Sequence, residues 1–180
     1  MQENELYDFH VVDFVKTFNK FPTLNKCLHV MCENGHQNVI DYLAEIGADD
    51  FYNAMTFACK GGHEKVIEYL IGIGVTNYHN AIILALENGH INVVKFLLMR
   101  CDLKNHYTFI QAACKGGNME CVKLFLFEES IYSGSCLCYG LFGAGKGGHM
   151  DIIEFVIELA KKRNKYTKEF LFYGIKGACL

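Results

Sequence analysis

Two sets of residues in this chain have the types and spacing to do chemistry. The first is Gly140-Leu141-Phe142-Gly143-Ala144-Gly145-Lys146-Gly147. It fits the Gly-x-x-x-x-Gly-Lys pattern in which backbone amides wrap phosphates and the lysine reaches the terminal ones. The next position should carry a Ser or Thr for Mg²⁺, and here it is Gly147. Such a loop should also follow a buried strand, and Ile131-Tyr132-Ser133-Gly134-Ser135 is a poor strand candidate. An ATP- or GTP-binding enzyme is the reading that rests on Gly140 to Lys146 alone. The second set is His36, His63, His90 and His149. Imidazoles can ligate metals or move protons. Ligation needs donors within a few ångströms of one another. Histidines placed one per stacked unit would instead stand about 10 Å apart, the usual separation of packed helices. No Ser/His/Asp order, paired carboxylates or His-Glu-x-x-His motif appears in a supporting context. The expectation is a chain that is not an enzyme and takes no cofactor or metal.

Nine cysteines are present, without a Cys-x-x-Cys pair; the tightest spacing is Cys136-Leu137-Cys138. The acidic Met1-Gln2-Glu3-Asn4-Glu5 start has no apolar run behind it and does not read as a secretion signal. Together these point to reduced thiols in a cytoplasmic setting, used as small core residues. The chain has 180 residues, 51% hydrophobic and 21% charged, with a single proline and a net charge of −3. That length and mix suit one packed, mostly helical domain. No run approaches the roughly 18 apolar residues of a membrane span. The one short basic run, Lys161-Lys162-Arg163, reads as the cationic end of a helix. Neither nucleic acid nor a membrane surface is an expected partner.

The elements that position these residues follow from an internal repeat. It reads Met31-Cys-Glu-Asn-Gly-His36, Ala58-Cys-Lys-Gly-Gly-His63, Ala85-Leu-Glu-Asn-Gly-His90, Ala113-Cys-Lys-Gly-Gly-Asn118 and Ala144-Gly-Lys-Gly-Gly-His149. The last residues of these stretches are 27, 27, 28 and 31 positions apart. After each comes an apolar pair (Val39-Ile40, Val66-Ile67, Val93-Val94, Cys121-Val122, Ile152-Ile153), then a second pair three positions on, such as Tyr42-Leu43 and Tyr69-Leu70. That is the i, i+3, i+4, i+7 stripe of a helix with one buried face. Gly47 and Gly74 stand where a left-handed residue would end it. Before each Gly-His lies a second helix with small residues that allow close approach, as in Asn53-Ala54-Met55-Thr56-Phe57-Ala58. Each unit is helix, tight turn, helix and connector, and only stacked neighbours can bury its stripe. Lys146 and Gly147-Gly148 occupy the places of Lys60 and Gly61-Gly62, so the repeat explains the phosphate-loop pattern.

The predicted fold is an all-α, right-curving solenoid of stacked helix-turn-helix repeats, forming a single domain over 1–180. Full repeats are expected over 21–48, 49–75, 76–101, 102–130 and 131–163, about twelve helices in all. An N-terminal half repeat (1–20, with a helix over Val11–Phe18) and a C-terminal half repeat (164–180) flank them. Each imidazole, or Asn118 in place of one, is expected to cap the inter-helix turn and hydrogen-bond to the next unit's connector.

These residues resemble ankyrin repeats, whose pattern runs Thr-Pro-Leu-His-x-Ala-Ala-x-x-Gly-His and ends in Gly-Ala-Asp. Leu28-His29 sits at the Leu-His step and Gly47-Ala48-Asp49 matches the ending. Asn53-Ala54 and Asn80-Ala81 replace Thr-Pro, and the repeat is about six residues short of the ankyrin period of ~33. The shortening falls in the connector, which implies that the projecting β-hairpins are reduced or absent. Gly47-Ala48-Asp49-Asp50-Phe51-Tyr52-Asn53-Ala54-Met55 with Gly61-Gly62-His63 is similar to the short ankyrin-like units of multi-copy proteins in large DNA viruses.

The resemblance implies a protein–protein interaction module. It also points to two rows of positions that ankyrins turn to their concave side and the repeat leaves free. One lies three residues before the turn histidine: Glu33, Lys60, Glu87, Lys115 and Lys146. The other lies eleven before it: Asn25, Tyr52, His79, Tyr107 and Cys138. The first row varies in charge, and the second offers tyrosines, which make good interface anchors. A protein partner is expected, with a viral factor acting on host proteins in the host cytoplasm as the specific form. The stop at Leu180 without a polar capping helix motivates an alternative, an architectural fragment with no retained partner.

Overall fold

The computed structural model describes residues 23–76, 78–100, 106–126 and 134–179, and among them the secondary structure is helical, with no strand. The helix expected over Val11–Phe18 lies outside the described residues. Among the described residues eleven helices pack as stacked pairs, grouped into two compact units, one before Tyr78 and one from Tyr78 onward. The first unit holds α1 (Leu24–Asn34), α2 (Gln37–Glu45), α3 (Phe51–Gly61) and α4 (Glu64–Gly72). The second holds α5 (Tyr78–Glu87), α6 (Ile91–Leu98), α7 (His106–Gly116), α8 (Met119–Leu126), α9 (Gly134–Gly147), α10 (Met150–Lys162) and α11 (Lys168–Ala178).

The helices start and stop where local chemistry dictates. Thr23, Asp50 and Thr167 take N-cap positions, and their side chains accept from Lys26, Asn53 and Phe170 N–H. Asp50 Oδ2 also lies 3.0 Å from His29 Nε2. The Asn53 hydrogen bond, with His29 adding to it, holds this carboxyl below its usual range. The pair-internal turns place a glycine in the left-handed region, as at Gly35 (φ 76°) and Gly62 (φ 78°). Within each turn the His N–H returns to the first helix, His63 to Ala58 O (3.1 Å) and His149 to Ala144 O (3.1 Å). At the other end of the pair, Ala48 N–H bonds Leu43 O (2.8 Å) and Val75 N–H bonds Leu70 O (3.0 Å), closing the turns at Gly47 and Gly74. Asn164 (φ 54°) takes the same role after α10, and an asparagine tolerates that conformation.

The apolar stripes meet in the core. Leu28 and Met55 in the first unit, and Ile82, Ile110 and Leu141 in the second, are buried at one shared repeat position. Val66, Ile67 and Leu70 bury the facing stripe of α4; burying each such side chain contributes roughly 1.5–3 kcal/mol. The first helices of successive pairs form the spine: α1 on α3 in one unit, and α5 on α7, α7 on α9, α9 on α11 in the other. Glycine sets how closely they come. A Cβ at Gly61 would collide with the Glu33 carbonyl oxygen, one at Gly116 with that of Leu86, and one at Gly147 with that of Lys115.

Cysteines share this core. Cys27, Cys32, Cys59, Cys114, Cys121 and Cys136 are buried. Burial pushes the Cys32, Cys59 and Cys114 thiols up to about 12. The expectation that all thiols serve as core residues is corrected at two places: Cys138 is half-buried and Cys179 is exposed. Cys138 lies on α9, and Cys179 is the C-cap residue after α11.

Two measurements check this packing. Gly116→Ala and Gly147→Ala should each destabilise the protein by about 1–3 kcal/mol in urea unfolding, because the added methyl strikes backbone. Gly72→Ala meets nothing within 4 Å and should stabilise by up to about 1 kcal/mol; equal effects at the three sites would refute the close approach. At neutral pH a thiol reagent followed by mass mapping should modify Cys179 in the native state. Cys32, Cys59 and Cys114 should stay unmodified until denaturant is added, since only the thiolate attacks.

Candidate functional site

The phosphate-loop pattern is overturned by its backbone. Gly140 to Lys146 lie inside α9, a continuous helix from Gly134 to Gly147. Their N–H groups belong to the helical ladder, so no loop exists to wrap a phosphate. The glycines serve helix contact instead. A Cβ at Gly140 would sit 3.3 Å from Ile110 Cγ2, and one at Gly143 would collide with the Gln111 carbonyl oxygen. Among the described residues, no three His, Cys, Asp or Glu converge as a metal site.

The histidines occupy the N-cap positions of α2, α4, α6 and α10 without a side-chain capping bond. His63 Nε2 donates to Glu33 O (2.9 Å), and His149 Nε2 donates to Lys115 O (3.0 Å). A carbonyl only accepts, so Nε2 carries the proton in both. This corrects the expected direction: the bond runs back to the first helix of the preceding repeat, not forward to the next connector. The reason is the turn itself, which points the imidazole across the turn glycine of the preceding repeat. A Cβ at Gly35 would come within 2.5 Å of His63 Nδ1. Asn118 does more than the histidines. Its Nδ2 donates to Gly89 O (3.1 Å), while Oδ1 accepts from Glu120 N–H (2.9 Å) and Cys121 N–H (3.2 Å), a true cap.

The three-before row was expected to be left free by the repeat, but four of its five residues pair with one another. Lys60 Nζ lies 2.7 Å from Glu33 Oε1, and Lys115 Nζ lies 2.8 Å from Glu87 Oε2. The opposite charges pair across successive first helices, and as partly exposed pairs they contribute at most about 1 kcal/mol each. Lys146 is exposed and, among the described residues, has no carboxylate at ion-pair distance. In the eleven-before row Asn25 is consumed locally. Its Nδ2 donates to Asp49 Oδ1 (2.9 Å), and its Oδ1 accepts from Asp49 and Asp50 N–H (3.0 and 3.2 Å). It clamps the following connector. His79 packs on Phe109 with centroids 4.9 Å apart. Tyr52 is 57% exposed.

The structure adds a residue that the rows missed. Tyr139, one position past Cys138, meets Tyr107 with ring centroids 5.3 Å apart; the two are 41% and 42% exposed. An aromatic beside the row position of the next repeat was the available signal.

The imidazole bond has a direct test. His149→Ala should cost about 1–3 kcal/mol in thermal or urea unfolding, since it leaves the Lys115 carbonyl unmet. His149→Asn should recover much of that loss, as Asn118 does naturally. If the alanine and asparagine variants are equally destabilised, the side-chain bond is not what holds the turn.

Among the described residues no helix is long and apolar enough to cross a membrane. No curated protein matches the chain in a sequence search. A family model for ankyrin repeats (3 copies) matches residues 28–106, 58–135 and 82–158. Ankyrin repeats are generally protein–protein interaction modules and typically non-catalytic. These matches run together from residue 28 to residue 158 of the 180, over the same helix pairs and Gly-His turns described above, and the chain belongs to the ankyrin repeat family.

Proposed function

We propose that the chain is a non-enzymatic, cytoplasmic binding module that docks a protein partner on the exposed side of its first helices. The observation that carries this reading is the Tyr107–Tyr139 pair, two touching, half-exposed aromatic rings on adjacent helices α7 and α9. Aromatic side chains exposed side by side are costly to leave in water and are the usual anchors of interfaces. Tyr52 supplies an equivalent anchor in the first unit, and His79 and Lys146 extend the surface of the second. Glu33 with Lys60 in the first unit, and Glu87 with Lys115 in the second, contribute as paired charges, and Asn25 holds the Asp49-Asp50 connector of the first unit. The helices are fixed by packing and turn bonds before any partner arrives, so binding costs little ordering.

Two finer readings divide this proposal. The likeness of Gly47–Met55 and Gly61-Gly62-His63 to the repeats of large DNA viruses supports a viral factor acting on host cytosolic proteins. A chain without a retained partner is the architectural alternative. Affinity capture from candidate host cytosol, read by mass spectrometry, should recover a specific protein with the wild-type chain. Tyr107→Ala with Tyr139→Ala should reduce its affinity by roughly 30-fold, about 2 kcal/mol, with helical content and melting unchanged. Exchanging the charges of Glu87 and Lys115 keeps their ion pair and should alter partner affinity alone. Capture that recovers nothing specific would favour the architectural reading.

A further inference from the structure

The connector between α10 and α11 departs from its counterparts. Lys161, Lys162, Arg163, Lys165 and Lys168 place five cations in eight consecutive residues of a chain whose net charge is −3. The connector after α2 instead carries Asp49 and Asp50, and Val75-Thr76 after α4 is uncharged. Part of this charge has a structural use. Lys161 and Lys162 end α10, where cations offset the helix dipole. Lys161 Nζ also lies 5.4 Å from the Tyr166 ring centroid, and Arg163 Nη2 donates to Leu126 O (2.9 Å). Lys165 and Lys168 have no such use. Lys168 is the first residue of α11, where a cation opposes the helix dipole. Among the described residues, no carboxylate lies within ion-pair distance of Lys162, Lys165 or Lys168.

The connector is held still. Lys165 N–H bonds Ala160 O (2.8 Å), Asn164 takes the left-handed turn, Thr167 caps α11, and Tyr166 packs on Phe170 at 5.8 Å. Beside it opens a concavity of about 500 Å³ lined by Ser135, Cys138, Asn164, Lys165, Thr167, Glu169 and Tyr173. Ser135, Asn164, Lys165, Thr167 and Tyr173 can donate hydrogen bonds, the Cys138 thiol does so only weakly, and Glu169 is the one acid of the lining.

We propose that this basic connector and its adjoining concavity bind an acidic segment of a partner protein, whose carboxylates meet Lys162, Lys165 and Lys168. The proposal rests on the protein-binding reading and adds a second, charge-selective surface to it. The concavity holds a few side chains rather than the long backbone track of a nucleic acid.

The test uses the full chain and a short fluorescein-labelled peptide rich in Asp and Glu, followed by fluorescence anisotropy. A peptide with Asn and Gln in place of the acids, single-stranded RNA and phosphatidylserine vesicles run in parallel. The acidic peptide should bind, and bind more weakly as salt rises; its amide form should not. Replacing Lys162, Lys165 and Lys168 together with Ala should weaken binding at least about tenfold, with melting unchanged. Glu169→Gln should tighten it about twofold or more, because that carboxylate faces the incoming acids. The proposal is overturned if the amide peptide binds equally, if the triple variant binds like wild type, or if Glu169→Gln does not tighten binding. Tighter binding of RNA or vesicles than of peptide also overturns it. The Tyr107→Ala/Tyr139→Ala variant should bind the acidic peptide normally. Loss of the captured partner in that variant, alongside failure of the peptide, would leave the protein-binding reading standing and this one refuted.

Discussion

The structure depends on backbone touching backbone between successive first helices. At Gly61, Gly116 and Gly147 the chain comes so near a carbonyl of the preceding repeat that only a hydrogen atom fits on Cα. That approach brings the next turn within reach, and His63, Asn118 or His149 then bonds a main-chain carbonyl of the neighbour. The remaining features follow from this geometry. The apolar column of Leu28 and Met55, or of Ile82, Ile110 and Leu141, can close only at this spacing. The buried cysteines fit there because a thiol is small and weakly polar. The Glu33–Lys60 and Glu87–Lys115 pairs form because equivalent positions on adjacent helices lie within a side chain's reach.

Much of this was legible in the residues themselves. The recurring Gly-His step, the paired β-branched residues after it and the glycines at 47 and 74 each report a local conformational need, so period and helix type could be read directly. What sequence could not carry was direction and partnership. It marks His63 as a turn residue but does not say which of two neighbouring carbonyls lies closer. Charge variation along Glu33, Lys60, Glu87 and Lys115 looked like freedom; in three dimensions it is complementarity between residues 27 or 28 positions apart. Asn25 likewise looked like a free surface position, because nothing in the chain shows that the Asp49-Asp50 connector folds onto it. The phosphate-loop pattern misled for the opposite reason: glycines that permit close helix contact have the same spelling as glycines that cradle anions.

The consequence for binding is a division of labour among exposed groups. Charges that satisfy one another across repeats stabilise the stack slightly and leave little field to attract a partner. Groups with no role in the stack stand out against that background. Tyr107 with Tyr139 presents apolar area that water covers poorly, and the 161–168 connector presents Lys162, Lys165 and Lys168, which no carboxylate pairs among the described residues. The first kind of surface favours tight docking, whereas the second favours fast and selective encounter.

The acceptor of each inter-repeat imidazole or amide bond is a peptide carbonyl, in one case that of a glutamate, in another that of a glycine, in a third that of a lysine. Because every residue carries that same group, the joint does not depend on what its neighbour's side chain is. Repeats connected this way can be duplicated, deleted or recombined without matched changes on the other side of the joint. Interlocking side chains would have required such changes. The chemistry of the joint thus makes the array modular for evolution as well as for construction.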